Sequence, residues 1–453
     1  MRINKCWNTI RFIAEHDFFA ANFLSIIETS LIPLFEYMVR PNSIDFDDDI
    51  IFCLNSLMKK SKKVSPILSK IFPYLPKFQE KYKGIFGNLL QTLNSYILYS
   101  QPEDGSPGMF DDPGALNLIV EMANMSLYRK EEPIVLGNNM EGAILLQIAF
   151  QNLKGDLIKQ AIPSILTNVL TRMSQQPMSK TFHRSLLEVI YSAMLCDVSS
   201  TILFLHQANY LMDFFRLAFE GWRDLRLSYE RKLFTLAMTN FLFNSDVPEV
   251  LKPQCGYFLK EIVCCLMRQQ RIEQLVAKRG RKVNPIIDNI LLEEDSYRSS
   301  GEEGGEQEEE KKSSTSVQKV FDVVKEGGDE METEKDEKED EKLVVDSDFK
   351  QEEYDLHFTI SEMHSRVLDM DEYDFFTQNF RRVQSSAADS LTALVSQSFT
   401  TVKLRNYLKT VLATKRVVLM AAVKGAQGGK KKKGKGSKRS GPGKKGPGMG
   451  EDM

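Results

Sequence analysis

From residue 1 to about 290, apolar side chains return every three or four positions. That spacing marks amphipathic helices, whereas half-buried strands would alternate apolar and polar residues in twos between Asn-Gly or Asp-Gly turns. "KTFHRSLLEVIYSAMLC" sets Phe182, Leu186, Val189 and Ala193 on one face, and "YERKLFTLAMTNFL" does the same with Leu233, Ala237 and Phe241. Helix starts are written as an acceptor side chain followed by proline, Ser65-Pro66 before "ILSKIF" and Asp112-Pro113 before "GALNLIVEM". The acceptor caps orphan N–H groups, and proline suits the first helical position, where no N–H is needed.

One stretch breaks the helical rules. In "NLKGDLIKQAIPSILTNVLTRM" the stripe Ile158, Ile162, Ile165, Val169 and Met173 runs straight through Pro163. A proline in a helix interior costs roughly 3 kcal/mol. The same arrangement, a proline followed by a helical apolar face, recurs at Pro33, Pro73 and Pro253. The separations of 40, 90 and 90 residues are one, two and two units of about 40–45 residues, the period of stacked HEAT-type hairpins. A bend repeated at that interval can be shared by successive hairpins, whose packing offsets its cost. Residues 1–290 are therefore expected to form an all-α, HEAT-repeat (armadillo-like) α-solenoid. The alternative is a set of unrelated kinks in an ordinary helical domain.

At 291–350 the periodicity stops. "EEDSYRSSGEEGGEQEEEKKSSTS" and "KEGGDEMETEKDEKEDEK" offer no face to bury, and such composition predicts disorder. Helical patterning resumes over 351–416. Leu356, Ile360, Met363 and Val367 make one stripe, and Phe380, Val383, Ala387, Leu391 and Leu394 make another. "TTVKLRNYLKTVLATKRVVLM" predicts one more helix. Residues 417–453 form a Gly/Lys-rich tail of low complexity, expected to be unfolded.

Charge sharpens this division. The formal net charge is only −3, but 291–350 carries 22 acidic and 9 basic residues while 424–453 carries 10 basic and 2 acidic ones. Glu302, Glu303, Glu308, Glu309, Glu310, Asp336 and Glu337 typify the first block. The second centres on Lys430, Lys431, Lys432, Lys433, Lys435, Lys438 and Arg439. A basic cluster of this kind fits an import signal, a nucleic-acid contact made through counterion release, or a solubilising tail. No aromatic residue is interleaved with it, so base stacking has no support.

The chemistry of catalysis is missing from the pattern. "GKKKKGKG" (429–436) has glycine where a phosphate-binding loop needs Ser or Thr, and "GPGKKG" (441–446) has no strand before it or helix after it. The five histidines are scattered, and the adjacent Cys264 and Cys265 point about 100° apart on a helix. No enzyme activity, metal or cofactor is expected. Six cysteines without a secretory signal predict free thiols in a reducing compartment. Glu28 interrupts the longest apolar run, 18–39, so no membrane span is expected and the chain reads as a soluble intracellular protein.

Several stretches occur in an order that resembles the carboxy-terminal part of the importin-β (karyopherin-β) family, nearest the importin seven and eight type. They are "IFPYLPKFQEKYKGIFGNLLQTLNSYI", "NNMEGAILLQIAFQNLKGDLIKQAIPSILTNVLTRM", "EGWRDLRLSYERKLFTLAMTNFL" and "VPEVLKPQCGYFLKEIV". A Glu-rich interruption and then "EYDLHFTISEMHSRVLDMDEYDFFTQNF" follow, as in that subgroup. The resemblance implies a nuclear transport receptor that shuttles between cytoplasm and nucleus. Such a receptor wraps basic cargo such as ribosomal proteins or histones, binds Phe-Gly-repeat nucleoporins and releases cargo to the GTPase Ran. Family members are longer, and their amino-terminal repeats carry the main Ran-binding surface. This chain opens in what corresponds to mid-solenoid, as expected of a piece lacking those repeats, and its Gly/Lys tail is foreign to the subgroup. The alternative function is a HEAT scaffold for ribosome or ribonucleoprotein assembly, tethered through the basic tail.

Overall fold

The computed structural model describes residues 17–41, 47–82, 84–101, 108–128, 136–175, 179–225, 227–244, 246–278 and 366–414. In chain order the first helices are α1 (Asp17–Met38), α2 (Asp47–Ser61), α3 (Pro66–Ile71), α4 (Leu75–Lys81), α5 (Phe86–Tyr99) and α6 (Pro113–Leu127). There follow α7 (Leu136–Asn152), α8 (Asp156–Ser174), α9 (Lys180–Cys196), α10 (Val198–Gln207), α11 (Leu211–Gly221), α12 (Ser228–Asn244) and α13 (Cys255–Lys278). The last are α14 (Arg366–Asp369), α15 (Glu372–Ser386), α16 (Ala388–Ser398) and α17 (Val402–Ala413). Among the described residues no strand occurs, and the fold is all-α.

The helices sort into two rows. In one, α1, the α3–α4 pair, α6, α8, the α10–α11 pair and α13 succeed one another; in the other, α2, α5, α7, α9, α12 and α15 do so. Phe258 of α13 joins its row by stacking on Phe219 of α11, ring centroids 4.5 Å apart. Apolar side chains between the rows make one continuous buried core from Leu31 to Val411.

Local chemistry explains where helices begin. Ser65 accepts from the Leu68 N–H at 3.1 Å, and Asp112 from the Gly114 N–H at 2.9 Å, each just ahead of a proline. Ser179, Asp197, Asp371 and Thr401 cap α9, α10, α15 and α17 in the same way. All four recurrent prolines fall in the first row. Pro33 and Pro163 lie inside α1 and α8, while Pro73 and Pro253 sit in single 3₁₀ turns leading into α4 and α13. Beside Pro163, Ser164 and Thr167 donate their hydroxyls to the carbonyls of Ala161 and Pro163, local side-chain bonds within the same helix. Between α10 and α11 the break is made instead by Asn209, whose φ of 53° is left-handed. The second-row helices contain no proline.

Polar bonds between helices keep a common step. In the second row Ser95 Oγ donates to Asn55 Oδ1 (40 residues apart), Gln151 Nε2 to Ser192 Oγ (41) and Asn240 Nδ2 to the Met194 carbonyl (46). In the first row Lys81 Nζ reaches the Met38 carbonyl (43 residues), Arg172 Nε the Leu127 carbonyl (45) and Arg268 Nη1 the Arg223 carbonyl (45). Lys81 and Arg172 sit late in their own helices and Arg268 near the middle of α13, and each serves a carbonyl at the end of an earlier helical element, where acceptors are left unpaired and the macrodipole is negative.

The pattern over Phe380 to Leu394 departs from the expected single stripe. α15 ends at Ser386, Ala387 adopts φ −146° and ψ 50°, and α16 starts afresh. Ser385 and Ser386 donate hydroxyls back to the Arg382 carbonyl, so the helix ends on local hydrogen bonds rather than on a glycine or proline. The predicted final helix is α17. Leu356, Ile360 and Met363 lie outside the described residues.

Candidate functional site

Glu302, Glu303, Glu308, Glu309, Glu310, Asp336 and Glu337 lie outside the described residues, as do Lys430, Lys431, Lys432, Lys433, Lys435, Lys438 and Arg439. What the structure provides is the frame that carries the acidic block. The chain leaves the first row at Lys278, the end of α13, and is described again from Arg366 in α14, which packs on α7 and α12. α15 then takes the place next to α12 in the second row.

This return is tied down by polar groups. Lys232 of α12 donates to the Leu368 carbonyl at 2.9 Å and pairs with Glu372 at 3.8 Å. Tyr373 donates to the Leu266 carbonyl at 2.7 Å, and Arg382 to the Phe243 carbonyl at 2.9 Å. Phe376 and Phe380 meet Phe243 edge-on at 5.9 and 6.2 Å. Arg271 bonds the Tyr407 hydroxyl, and Gln270 Nε2 donates to Thr414 Oγ1 at 3.2 Å, so α17 is fixed to α13 as well. In sequence the acidic block falls between α13 and α14, both of which pack against the helical rows.

A second polar centre lies where α7, α9 and α12 converge. Gln147 Nε2 of α7 donates to Glu188 Oε2 at 3.1 Å and to the Ser185 carbonyl at 3.2 Å, while its Oε1 accepts from the Tyr229 hydroxyl at 3.1 Å. Gln151 Nε2 donates to Ser192 Oγ at 2.8 Å and to the Tyr229 oxygen at 2.9 Å. Arg184 pairs with Glu230 at 3.2 Å, and Glu230 also accepts from the Leu227 N–H. Glu188 and Glu230 are both buried. Burial, and then the neighbouring Glu230 carboxylate, hold the Glu188 carboxyl well above its ordinary range, against the pull of Arg184 and the Gln147 hydrogen bond.

A third centre surrounds Trp222. Its indole N–H donates to Glu261 at 2.7 Å, Arg223 pairs with the same carboxylate at 3.1 Å, and the guanidinium carbons of Arg223 and Arg268 stand 5.0 and 5.9 Å from the ring centroid. Nearby Arg231 is fully buried, donating to Gln269 at 2.7 Å and the Leu225 carbonyl at 2.8 Å; burial lowers its pKa to about 10. Periodicity did not single out these residues. The available signal was a polar residue inside an apolar run, as in "AILLQIAFQ", where Gln147 and Gln151 stand four apart.

Among the described residues the cysteines Cys53, Cys196, Cys255, Cys264 and Cys265 are free thiols, and burial raises Cys53 to about 12 and Cys265 to about 11. No group of three potential metal ligands gathers among the described residues, and none of their helices is long and apolar enough to cross a membrane. The chain matches no known family profile, no curated protein and no solved structure.

Proposed function

We propose that the chain is the cargo-binding part of a nuclear transport receptor of the importin-β type, a HEAT-repeat solenoid acting by reversible binding without chemistry. The observation that supports this most is the common step of the inter-helix polar bonds, 37 residues from Ser65 to Glu28 and 46 from Arg184 to Glu230. A run of helical hairpins in register offers an extended surface along which a partner can lie. The acidic block (291–350) falls in sequence between α13 and α14 and is charged to attract basic proteins such as histones or ribosomal proteins. Phe-Gly-repeat nucleoporins and GTP-loaded Ran are the further partners under this reading, and shuttling between cytoplasm and nucleus follows from it.

The test is a binding titration of the full chain with a histone across a salt series, alongside a variant lacking 291–350. Loss of affinity and a flatter salt dependence in the deletion are expected, because screened attraction between opposite charges falls with ionic strength. Unchanged affinity and slope would overturn the role of the acidic block. A second reading rests on the basic block at 424–453: a scaffold for ribosome or ribonucleoprotein assembly. RNA binding abolished by removing that block, with no retention of Ran or Phe-Gly peptides, would favour it.

A further inference from the structure

The joint between α7, α9 and α12 differs from a simple stack because it ties helices two steps apart. Tyr229 of α12 lies 78 residues beyond Gln151 and 82 beyond Gln147, yet it bonds both, reaching across α9. Within this joint two carboxyl groups are buried, and only one of them makes an ion pair. Arg184 pairs with Glu230, whose oxygens also accept from the Leu227 N–H. Glu188 receives only the Gln147 amide, on Oε2, and its Oε1 is buried without a hydrogen-bond partner among the described residues. If Glu188 were ionised, the joint would hold a buried carboxylate with no cation in direct hydrogen-bond contact and one oxygen unserved, an arrangement that low-dielectric surroundings penalise.

We propose that Glu188 is a proton-controlled pin, carried as the neutral acid in the closed α7–α9–α12 joint, and that its ionisation loosens the joint. The groups facing it are Gln147 from α7, Glu230 with its partner Arg184 from α12 and α9, and Tyr191 from its own helix. Glu230 opposes ionisation of Glu188 and Arg184 favours it; burial outweighs both. Burial and the Glu188 carboxyl likewise push the Tyr191 phenol up, so it stays neutral and adds no charge.

The sign of the pH dependence follows from proton counting. An unfolded glutamate releases its proton near pH 4.3, whereas the folded chain keeps it on Glu188 to higher pH. Between those two values the folded state binds more protons, so stability falls as pH rises through the window and levels off above the folded value.

The experiment compares urea midpoints of the full chain and of Glu188→Gln from about pH 5 to about pH 8.5, with hydrogen exchange read over α7, α9 and α12. Wild type should lose midpoint and exchange protection in these helices as pH rises. Glu188→Gln, which keeps shape and hydrogen bonding without a proton to lose, should show a flatter profile and the higher midpoint at the alkaline end. Parallel profiles would overturn the proposal. So would a variant less stable than wild type throughout, because that result means the joint needs the carboxylate charge. Should the variant not fold, infrared difference spectra of the wild type decide the question. A protonated-carboxyl band that persists at neutral pH and disappears on alkaline titration, together with the exchange change, supports the pin, and its absence overturns it.

Discussion

At Gly142 the helices α6 and α7 of the two rows approach closely, and replacing it with alanine puts a single methyl group under test. A Cβ built there would stand 2.6 Å from the Ala123 carbonyl oxygen, 3.0 Å from Ser126 Cβ and 3.1 Å from Leu127 Cγ. Carbon atoms prefer about 3.5–4.0 Å, so α6 and α7 must part by about half an ångström or more. The obstructing atoms are mostly backbone or near it and cannot swing aside. Overpacking of this kind costs about 1–3 kcal/mol, while alanine in a helix gains about 0.5–1 kcal/mol over glycine. The net expectation is a loss on the order of 1–2 kcal/mol, taken from the middle of these ranges. The assay is urea unfolding of Gly142→Ala beside Gly221→Ala, whose methyl would meet nothing within 4 Å. Gly142→Ala should unfold earlier than wild type with faster exchange in α6 and α7, and Gly221→Ala should be neutral or stabilising. If both variants gain stability equally, helix propensity alone governs Gly142 and the close crossing of the rows is refuted.

Ser95→Ala should cost about 1–3 kcal/mol by leaving buried Asn55 without its donor at 2.7 Å, whereas adding Asn55→Leu should recover much of that; denaturant midpoints of the two variants beside wild type check both. Trp222→Phe removes a hydrogen bond to the Glu261 carboxylate and should destabilise by about 1.5–3 kcal/mol. Circular dichroism is the readout, since Trp7 and Trp222 are the only tryptophans and fluorescence would be compromised. Arg172→Met keeps an apolar stem over Phe182 but drops the bond to the Leu127 carbonyl, for a loss of about 1 kcal/mol with raised exchange at the end of α6. Alkylation in native buffer near neutral pH should leave Cys53 and Cys265 unlabelled while denaturation exposes them, read by peptide mass; rapid native labelling would contradict their burial.

Hydropathy period reveals which residues meet the core but not which polar residues meet each other. Phe182, Leu186, Val189 and Ala193 are buried as their spacing requires. Yet α9 also buries Ser185, Glu188 and Ser192, and α12 buries Glu230, Arg231, Thr235 and Thr239. A one-face amphipathic reading assigns such residues to solvent, because a polar side chain looks the same in sequence whether it faces water or a partner about 40 residues away. The partner is set by the stacking of helices, a property no single window contains. Helix starts are legible for the opposite reason: Ser65 and Asp112 act on N–H groups two or three residues downstream, within reach of any local pattern.

The prolines connect the two scales. Each is a local signal, and their near-regular spacing suggested a repeating unit before any contact was known. The structure adds that all four belong to one row, while the other row is free of proline and carries the buried polar ladder from Asn55 to Glu230. Within the proline-bearing row Lys81, Arg172 and Arg268 tie successive helices together by bonding carbonyls 43 to 45 residues earlier. Replacing Pro163 should therefore disturb the chain less than removing one of these cations, since a proline inside a helix costs a hydrogen bond that another residue would restore, whereas each cation serves carbonyls at the end of a helical element, where acceptors are left unpaired.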